Sequence, residues 1–344
     1  MKGFATKTSE ALSESQRAAL ISLLADEDPA VHQTVRTKLI TFGTTVLEWL
    51  RPYTLSDEPL LRRRAQEIIN FFGRKTADDR FMAFCASRGE DLPLEEGAWL
   101  LARTQYPDIN IGAYEALLDA FASVLYERIN FTADVEHIVG TVNHYLFQEL
   151  EFTPNEANYY DPDNSFLNRV IDDREGIPIT LSVLFLELGR KLEIEKLDGM
   201  PFPGHFMVRF TEPDKDPIYI DVFDGGKLYQ KNQLYSLIAN HSEVPLLDEH
   251  FKPATKRDII LRILKNLIAV SMQQDDPSRT LPYLDLSLAV SPDQPLDRWR
   301  RATLLLQSGR QSLAREDLKW LLDRKAEGFD LDRIEDLYRK LEKP

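Results

Sequence analysis

Gly176-Ile177-Pro178-Ile179-Thr180-Leu181-Ser182, the apolar run 183–188, Gly204-His205-Phe206 and Tyr219-Ile220-Asp221 decide how this chain is read. Proline suits a first helical turn, where its missing N–H has no partner to lose, so Pro178 opens a helix that the apolar run buries. Beyond Lys196 the periodicity changes from helical to alternating. Phe206, Val208 and Phe210 fall on one face of a strand, and Ile218, Ile220 and Val222 on one face of the next. With residues 211–216 as the loop and Pro213 at its centre, His205 lies opposite Asp221, and Met207 and Tyr219 share their face. Any even slip of register keeps His205 and Asp221 on one side. Asp224-Gly225-Gly226 supplies the next turn.

These residues are most of an acyl-transfer site. Thiol catalysis needs a thiolate at a helix N-terminus, where the dipole and free N–H groups lower its pKa. It also needs a histidine beside the thiolate and a third group to orient that histidine. His205 and Asp221 fit the last two roles, but the helix opens on a proline.

The 344 residues are long for one core, so two or three domains are expected. A hydrophobic share of 43% and a charged share of 28% are ordinary for a soluble globular protein. The net charge of −14 and pI near 5.0 argue against nucleic-acid binding, which needs clustered Lys and Arg; Arg62-Arg63-Arg64 reads as a solvated helix face. A single cysteine, Cys85, excludes an intrachain disulfide, and its setting in Phe81-Met82-Ala83-Phe84-Cys85 reads as a buried helical thiol. The N-terminal stretch 1–15 is polar and no apolar run is long enough to span a bilayer, so no membrane association is expected and the cytoplasm is the expected compartment. His32, His137, His144, His241 and His250 show no paired ligand spacing, and no glycine-rich phosphate loop is present, so neither a metal nor another cofactor is expected.

Residues 9–73 read as helical with a 30-residue echo: Asp28-Pro29 leads into a helix ending at Gly43, and Glu58-Pro59 into one ending at Gly73. The echo resembles two degenerate HEAT-like units, and ordinary helices with similar ends account for it equally well. Helices over 95–105, 111–129 and 135–149 carry apolar stripes. Asn164 or Ser165 is expected to cap a helix running to about Asp172. From Pro253 the chain is helical again, and Thr280, Leu284 and Leu288 recur as Ala314, Leu318 and Leu322 at an offset of 34, the mark of tetratricopeptide units.

Together, Tyr159-Tyr160-Asp161-Pro162, Asn164-Ser165-Phe166-Leu167-Asn168, the Gly176–Ser182 motif, Phe202-Pro203-Gly204-His205-Phe206 and Ile220-Asp221 resemble the bacterial SirB-type branch of the transglutaminase-like superfamily. The resemblance covers roughly residues 95–340. It implies an α+β, predominantly helical fold, with a transglutaminase-like core of papain-like cysteine-protease fold and a short antiparallel sheet over 95–252 and tetratricopeptide-like helices over 253–344, behind the helical region 1–94 that the HEAT-like echo gives. It also implies that competent relatives carry the nucleophilic Cys where this chain has Pro178, with His205 and Asp221 at the family's His and Asp positions. The branch itself commonly reads Gly-Ile-Pro there.

Two readings of the pair stand. In the first, His205 and Asp221 are a hydrogen-bonded structural pair, and the protein is a non-catalytic interaction or scaffold protein that binds a protein or peptide partner through its helical repeats. In the second, they are a residual dyad of a hydrolase or acyl transferase working with water, Thr180 or Ser182, in a pocket bounded by Asn164, Gly204 and Tyr219. The missing nucleophile weighs toward the first. Thr180 and Ser182 sit among apolar neighbours and read as core hydroxyls bonded back to the helix backbone.

Overall fold

A computed structural model describes residues 12–90, 92–194 and 197–341. Most of the polar stretch 1–15, the first residues of the expected helical echo, and the point at Lys196 where the periodicity changes lie outside the described residues. The chain divides into two compact units, residues 1–77 with 104–108 and residues 78–103 with 109–344.

The first unit holds α1 (Glu14–Leu24), α2 (Pro29–Thr41), α3 (Val46–Leu50) and the first part of α4 (Pro59–Ser87). Ser13 caps α1 in a reciprocal box with Gln16, and Asp28 caps α2 ahead of Pro29, each side chain taking up an orphan N–H of the first turn. Leu24, Leu39, Val46, Leu50, Ala65 and Ile68 close one apolar core. The helix opened by Pro59 does not stop at Gly73 but runs on to Ser87. Gly73 answers a packing need instead, since a Cβ there would sit 2.9 Å from the Pro107 ring. Gly43, by contrast, does take the left-handed conformation (φ +67°) just beyond α2.

The second unit is mostly helical around two small sheets. Its helices α5 (Leu94–Gln105), α6 (Ile111–Arg128), α7 (Val135–Asn143), α8 (Leu167–Asp173), α9 (Pro178–Lys191) and α10 (Lys231–Ala239) precede a run of five: α11 (Lys256–Gln273), α12 (Pro277–Val290), α13 (Pro295–Gln307), α14 (Gln311–Asp323) and α15 (Leu331–Lys340). The short strands β1 (Thr153–Pro154) and β2 (Glu175–Gly176) pair in parallel. The main sheet is antiparallel, in the order β3 (Leu197–Met200), β4 (Met207–Phe210), β5 (Ile218–Asp221) and β6 (Lys227–Tyr229). Helix α9 packs on β3, β4 and the 3₁₀ turn Val222–Asp224, while Met200, Met207 and Tyr219 join Leu234 and Ile238 of α10 in a separate core.

The β4–β5 hairpin forms, with a register two residues away from the one expected. Val208 faces Ile220 and Phe210 faces Ile218, so the centre is Asp214 rather than Pro213. The cause is Pro217, which cannot donate to the ladder and is left in the loop, while Asp214 takes a left-handed conformation (φ +61°) at its tip. An even slip preserves parity, so His205 and Asp221 still meet.

In the C-terminal run each helix packs on the next. Two of the three pairs 34 apart behave alike, Leu284 and Leu318 being fully buried and Thr280 and Ala314 buried to within 2%, whereas Leu288 is buried and Leu322 only partly so. Charge joins these layers as well. Asp317, fully buried on α14, receives Arg298 at 2.9 Å and Arg301 through two bonds of 2.7 Å, and Arg301 also reaches Asp285 on α12 at 2.8 Å. Among the described residues no helix is long and apolar enough to cross a membrane.

Candidate functional site

His205 lies just before β4 and Asp221 ends β5. The His205 Nε2 and Asp221 Oδ2 atoms are 2.9 Å apart, and each residue is 2% exposed. The other oxygen of Asp221 accepts the backbone N–H groups of Phe223 at 3.1 Å and Asp224 at 3.3 Å, so one carboxylate caps the 3₁₀ turn and fixes the imidazole at once. A carboxylate only accepts, which puts a proton on Nε2 and makes Nδ1 the ring nitrogen that Asp221 does not engage. That is the orientation an acyl-transfer histidine needs.

Its surroundings are closed. The ring of His241, in the turn after α10, stacks on His205 with centroids 4.6 Å apart and planes 7° apart, and Phe223 stands edge-on at 6.3 Å. Phe223 in turn meets Tyr159 at 6.3 Å. Gly204 makes the stack possible: it is left-handed (φ +69°), and a Cβ there would overlap the His241 carbonyl oxygen. Burial, followed by the charge of His205, holds the His241 imidazole below its ordinary pKa, against the opposing pull of Asp221.

Pro178 is the first residue of α9, as read from the sequence, and is buried. The hydroxyls that were candidate replacements for a thiol are otherwise engaged or sealed. Thr180, 1% exposed, donates to the Asn164 carbonyl at 2.8 Å and accepts the Ile177 N–H at 3.2 Å, so it ties the loop before α8 to the start of α9 rather than only bonding back to its own helix. Ser182 is fully buried, and its hydroxyl has no partner among the described residues. Asn164 does not cap α8. Its amide donates to the carbonyls of Asn158 at 2.8 Å and Tyr159 at 3.3 Å and accepts from Asn155 at 3.0 Å, a buried bracket that shapes the loop. The cap in this region is Asp161, which starts the 3₁₀ turn Pro162–Ser165. Tyr219 packs against Phe202 and Phe251 in the core shared with α10.

The structure therefore brings together His205 and Asp221, and separately Asn164 and Thr180, and adds two residues that sequence reasoning did not single out. His241 and Phe223 carry no spacing signal, because a helix and a turn intervene before they reach the imidazole. Cys85 is 2% exposed, burial raises its thiol pKa to about 11, and its carbonyl accepts from Arg257 at 2.9 Å, so it belongs to the packing between α4 and α11. Among the described residues no three His, Cys, Asp or Glu side chains converge to hold a metal ion.

Comparison with known proteins adds a family to this geometry. Residues 112–265 match the family model described as the transglutaminase-like superfamily. A UPF0162 protein of Xylella fastidiosa (strain 9a5c) is 37% identical over 234 residues, spanning 67% of this chain and 83% of that protein. A UPF0162 protein of Vibrio cholerae is 25% identical over 246 residues, 70% of this chain and 88% of the relative. Human F-box only protein 21 is 30% identical over 167 residues, 46% of this chain and 26% of its own length. No solved structure matches the chain.

Proposed function

The chain belongs to the UPF0162 family, with a domain of the transglutaminase-like superfamily, and on that premise we propose that it works without acyl-transfer chemistry, as an interaction protein whose partner is a protein or peptide segment. One observation carries the reading: the orienting half of a thiol site is intact while every nucleophile position is filled by a ring, a spent hydroxyl or a sealed one. Pro178 offers no side-chain nucleophile and no N–H for an oxyanion, the Thr180 proton is given to Asn164, and His205 is covered on one face by His241. His205 and Asp221 then serve to lock the β4 entry to the turn after β5. In this reading the core is a papain-like scaffold of the SirB-type branch, and α11–α15 are tetratricopeptide-like layers that present the binding surface.

Two further facts support it. A groove of about 300 Å³ on the C-terminal helices is lined by Met272, Asp275, Trp299, Arg300 and Leu304, with Met272 45% exposed. The sequence resembling this core also occurs in a far longer protein named for its F-box, which fits a portable module. The test captures partners on full-length bait and compares wild type with Met272→Glu and His205→Gln. A partner lost with the first variant and kept with the second supports the proposal; the reverse pattern refutes it.

A further inference from the structure

Helix α9 ends in a cluster of charges that does not balance. Arg190 donates to Glu187 at 2.6 Å and to Glu95 of α5 at 2.5 Å, and Lys191 reaches Glu95 at 3.2 Å and Asp119 of α6 at 2.6 Å. Three carboxylates therefore share two cations, and the C-terminal carbonyls of α9 add a negative dipole end. Glu187 is the most buried of the three, at 2% exposure. Arg190 engages its Oε2, while Oε1 has no hydrogen bond or ion-pair partner among the described residues. Burial raises the Glu187 pKa, outweighing the Arg190 contacts that lower it, so the shared guanidinium under-compensates the charge. A carboxylate withdrawn from water in this way gains from a further cation.

The space beside Glu187 can hold one. Glu187 lines a cleft of about 540 Å³ between the end of α9, β3 and the entry to α11, a volume within the range of small-molecule sites. The Ala254 N–H bonds to the Gly199 carbonyl at 2.9 Å and ties the α11 entry to β3, so the cleft is formed in advance. Leu94, Ile194, Leu197 and Ile259 give it an apolar wall. Its other charges are Glu193, which is exposed, Asp198, which Arg209 answers across the sheet, and the cations Arg190 and Lys256. An apolar wall and a buried, half-engaged carboxylate suit a primary alkylammonium group. Its methylenes lie on the apolar side chains, and its compact head brings three donors to Oε1. An anion fits less well, because the lining carries three carboxylates to two cations and Arg190 is already committed. Glu187 is nine residues beyond Pro178, about 13 Å along the helix axis, so the cleft is separate from the His205–Asp221 pair.

We propose that Glu187 and the wall of Leu94, Ile194, Leu197 and Ile259 form a binding site for a primary alkylammonium group, presented by a lysine side chain or by a free aliphatic amine. The site is independent of the partner reading above, because small amines probe it without any partner. The experiment is a set of thermal melts of the full chain at pH 7.5 and matched ionic strength. The probes are Nα-acetyl-lysine amide for the side chain and n-pentylamine for a free amine. The controls are sodium chloride, sodium acetate, N-acetylnorleucine amide, which keeps the stem without the charge, and tetramethylammonium chloride, which keeps the charge without N–H donors. A ligand that binds the folded form raises Tm, and more so the tighter it binds.

At least one of the two primary amines should raise the wild-type Tm above the chloride value, and whichever acts more strongly identifies the source. None of the other controls should do so. Glu187→Gln, which keeps the shape and removes the charge, should weaken the apparent affinity at least tenfold. Ala254→Leu narrows the cleft without touching the carboxylate and should weaken it severalfold; this variant carries the test if Glu187→Gln fails to fold. The site is refuted by the absence of a rise specific to primary amines, by a rise undiminished in Glu187→Gln or in Ala254→Leu, by tetramethylammonium or N-acetylnorleucine amide matching the amines, or by acetate outdoing them.

Discussion

Gly225 and Gly226 sit side by side in the turn that follows Asp221, both left-handed at φ +60° and +77°, and their alanine variants should cost very different amounts. A Cβ at Gly225 meets nothing within 4 Å, so Gly225→Ala suffers only the left-handed penalty of about 1–2 kcal/mol. A Cβ at Gly226 would overlap the amide of Asn143, the last residue of α7, which donates to the Gly226 carbonyl at 2.8 Å. Asn143 must leave, and losing that part-buried bond adds about 1–3 kcal/mol. Gly226→Ala should therefore destabilise by about 2–5 kcal/mol, lowering Tm by roughly 2–4 °C per kcal/mol in a unit of this size. Because the Gly226 N–H closes on the Asp221 carbonyl at 2.8 Å, the same change loosens the carboxylate that holds His205. Urea titrations of both variants, with Asn143→Ala alone and combined with Gly226→Ala, separate the terms. The double variant should lose less than the two single losses together, because the obstructing amide is already gone. Equal losses for the two glycines, or strict additivity in the double variant, would refute the reasoning.

Other consequences follow from the charges and the buried thiol. Asp317→Ala strands Arg298 and Arg301 in the C-terminal layers and should cost about 3–5 kcal/mol by denaturant titration; a loss below about 1 kcal/mol would mean that solvent reaches those guanidinium groups. The His241 pKa is lowered in the folded state, so its contribution is fully present above the unfolded value of 6.5 and fades as pH falls below it. The stability gap between His241→Phe and wild type should thus move in favour of the variant between pH 7.5 and 5.5, and a pH-independent gap would contradict the lowered pKa of the His241 ring stacked on His205. With its pKa raised to about 11, Cys85 should resist a thiol reagent at pH 8 in the native protein and react fully in denaturant, whereas labelling of the native form at the rate of a free thiol would show it exposed.

Much of this architecture is legible in the chain, and its gaps have physical causes. Pro178 opens a helix as read because a proline at that place and an apolar run behind it both act locally. The meeting of His205 and Asp221 survives a register error because strand parity has period two, although Pro217 shifts the hairpin centre. Gly73 misleads because its reason for being glycine is Pro107, far along the chain, and a helix can continue through a glycine that packing demands. Asn164 looks like a cap by composition, yet α8 begins after Phe166 with no side-chain cap, and Asn164 lies inside the 3₁₀ turn capped by Asp161, its amide spent in the buried bracket. His241 over His205 is set by the path of the backbone after α10, which no local pattern encodes.

The central claim is that the imidazole of His205 has nothing to activate. The most direct measurement sets turnover against stability in one pair of proteins: wild type and His205→Ala, metal-free, offered a panel of peptide amides and activated esters, with urea titrations in parallel. The account predicts no turnover above buffer for either protein and a clear loss of stability for the variant, because the buried Asp221 oxygen loses its partner. Turnover by wild type that vanishes in His205→Ala, with stability unchanged, would contradict it.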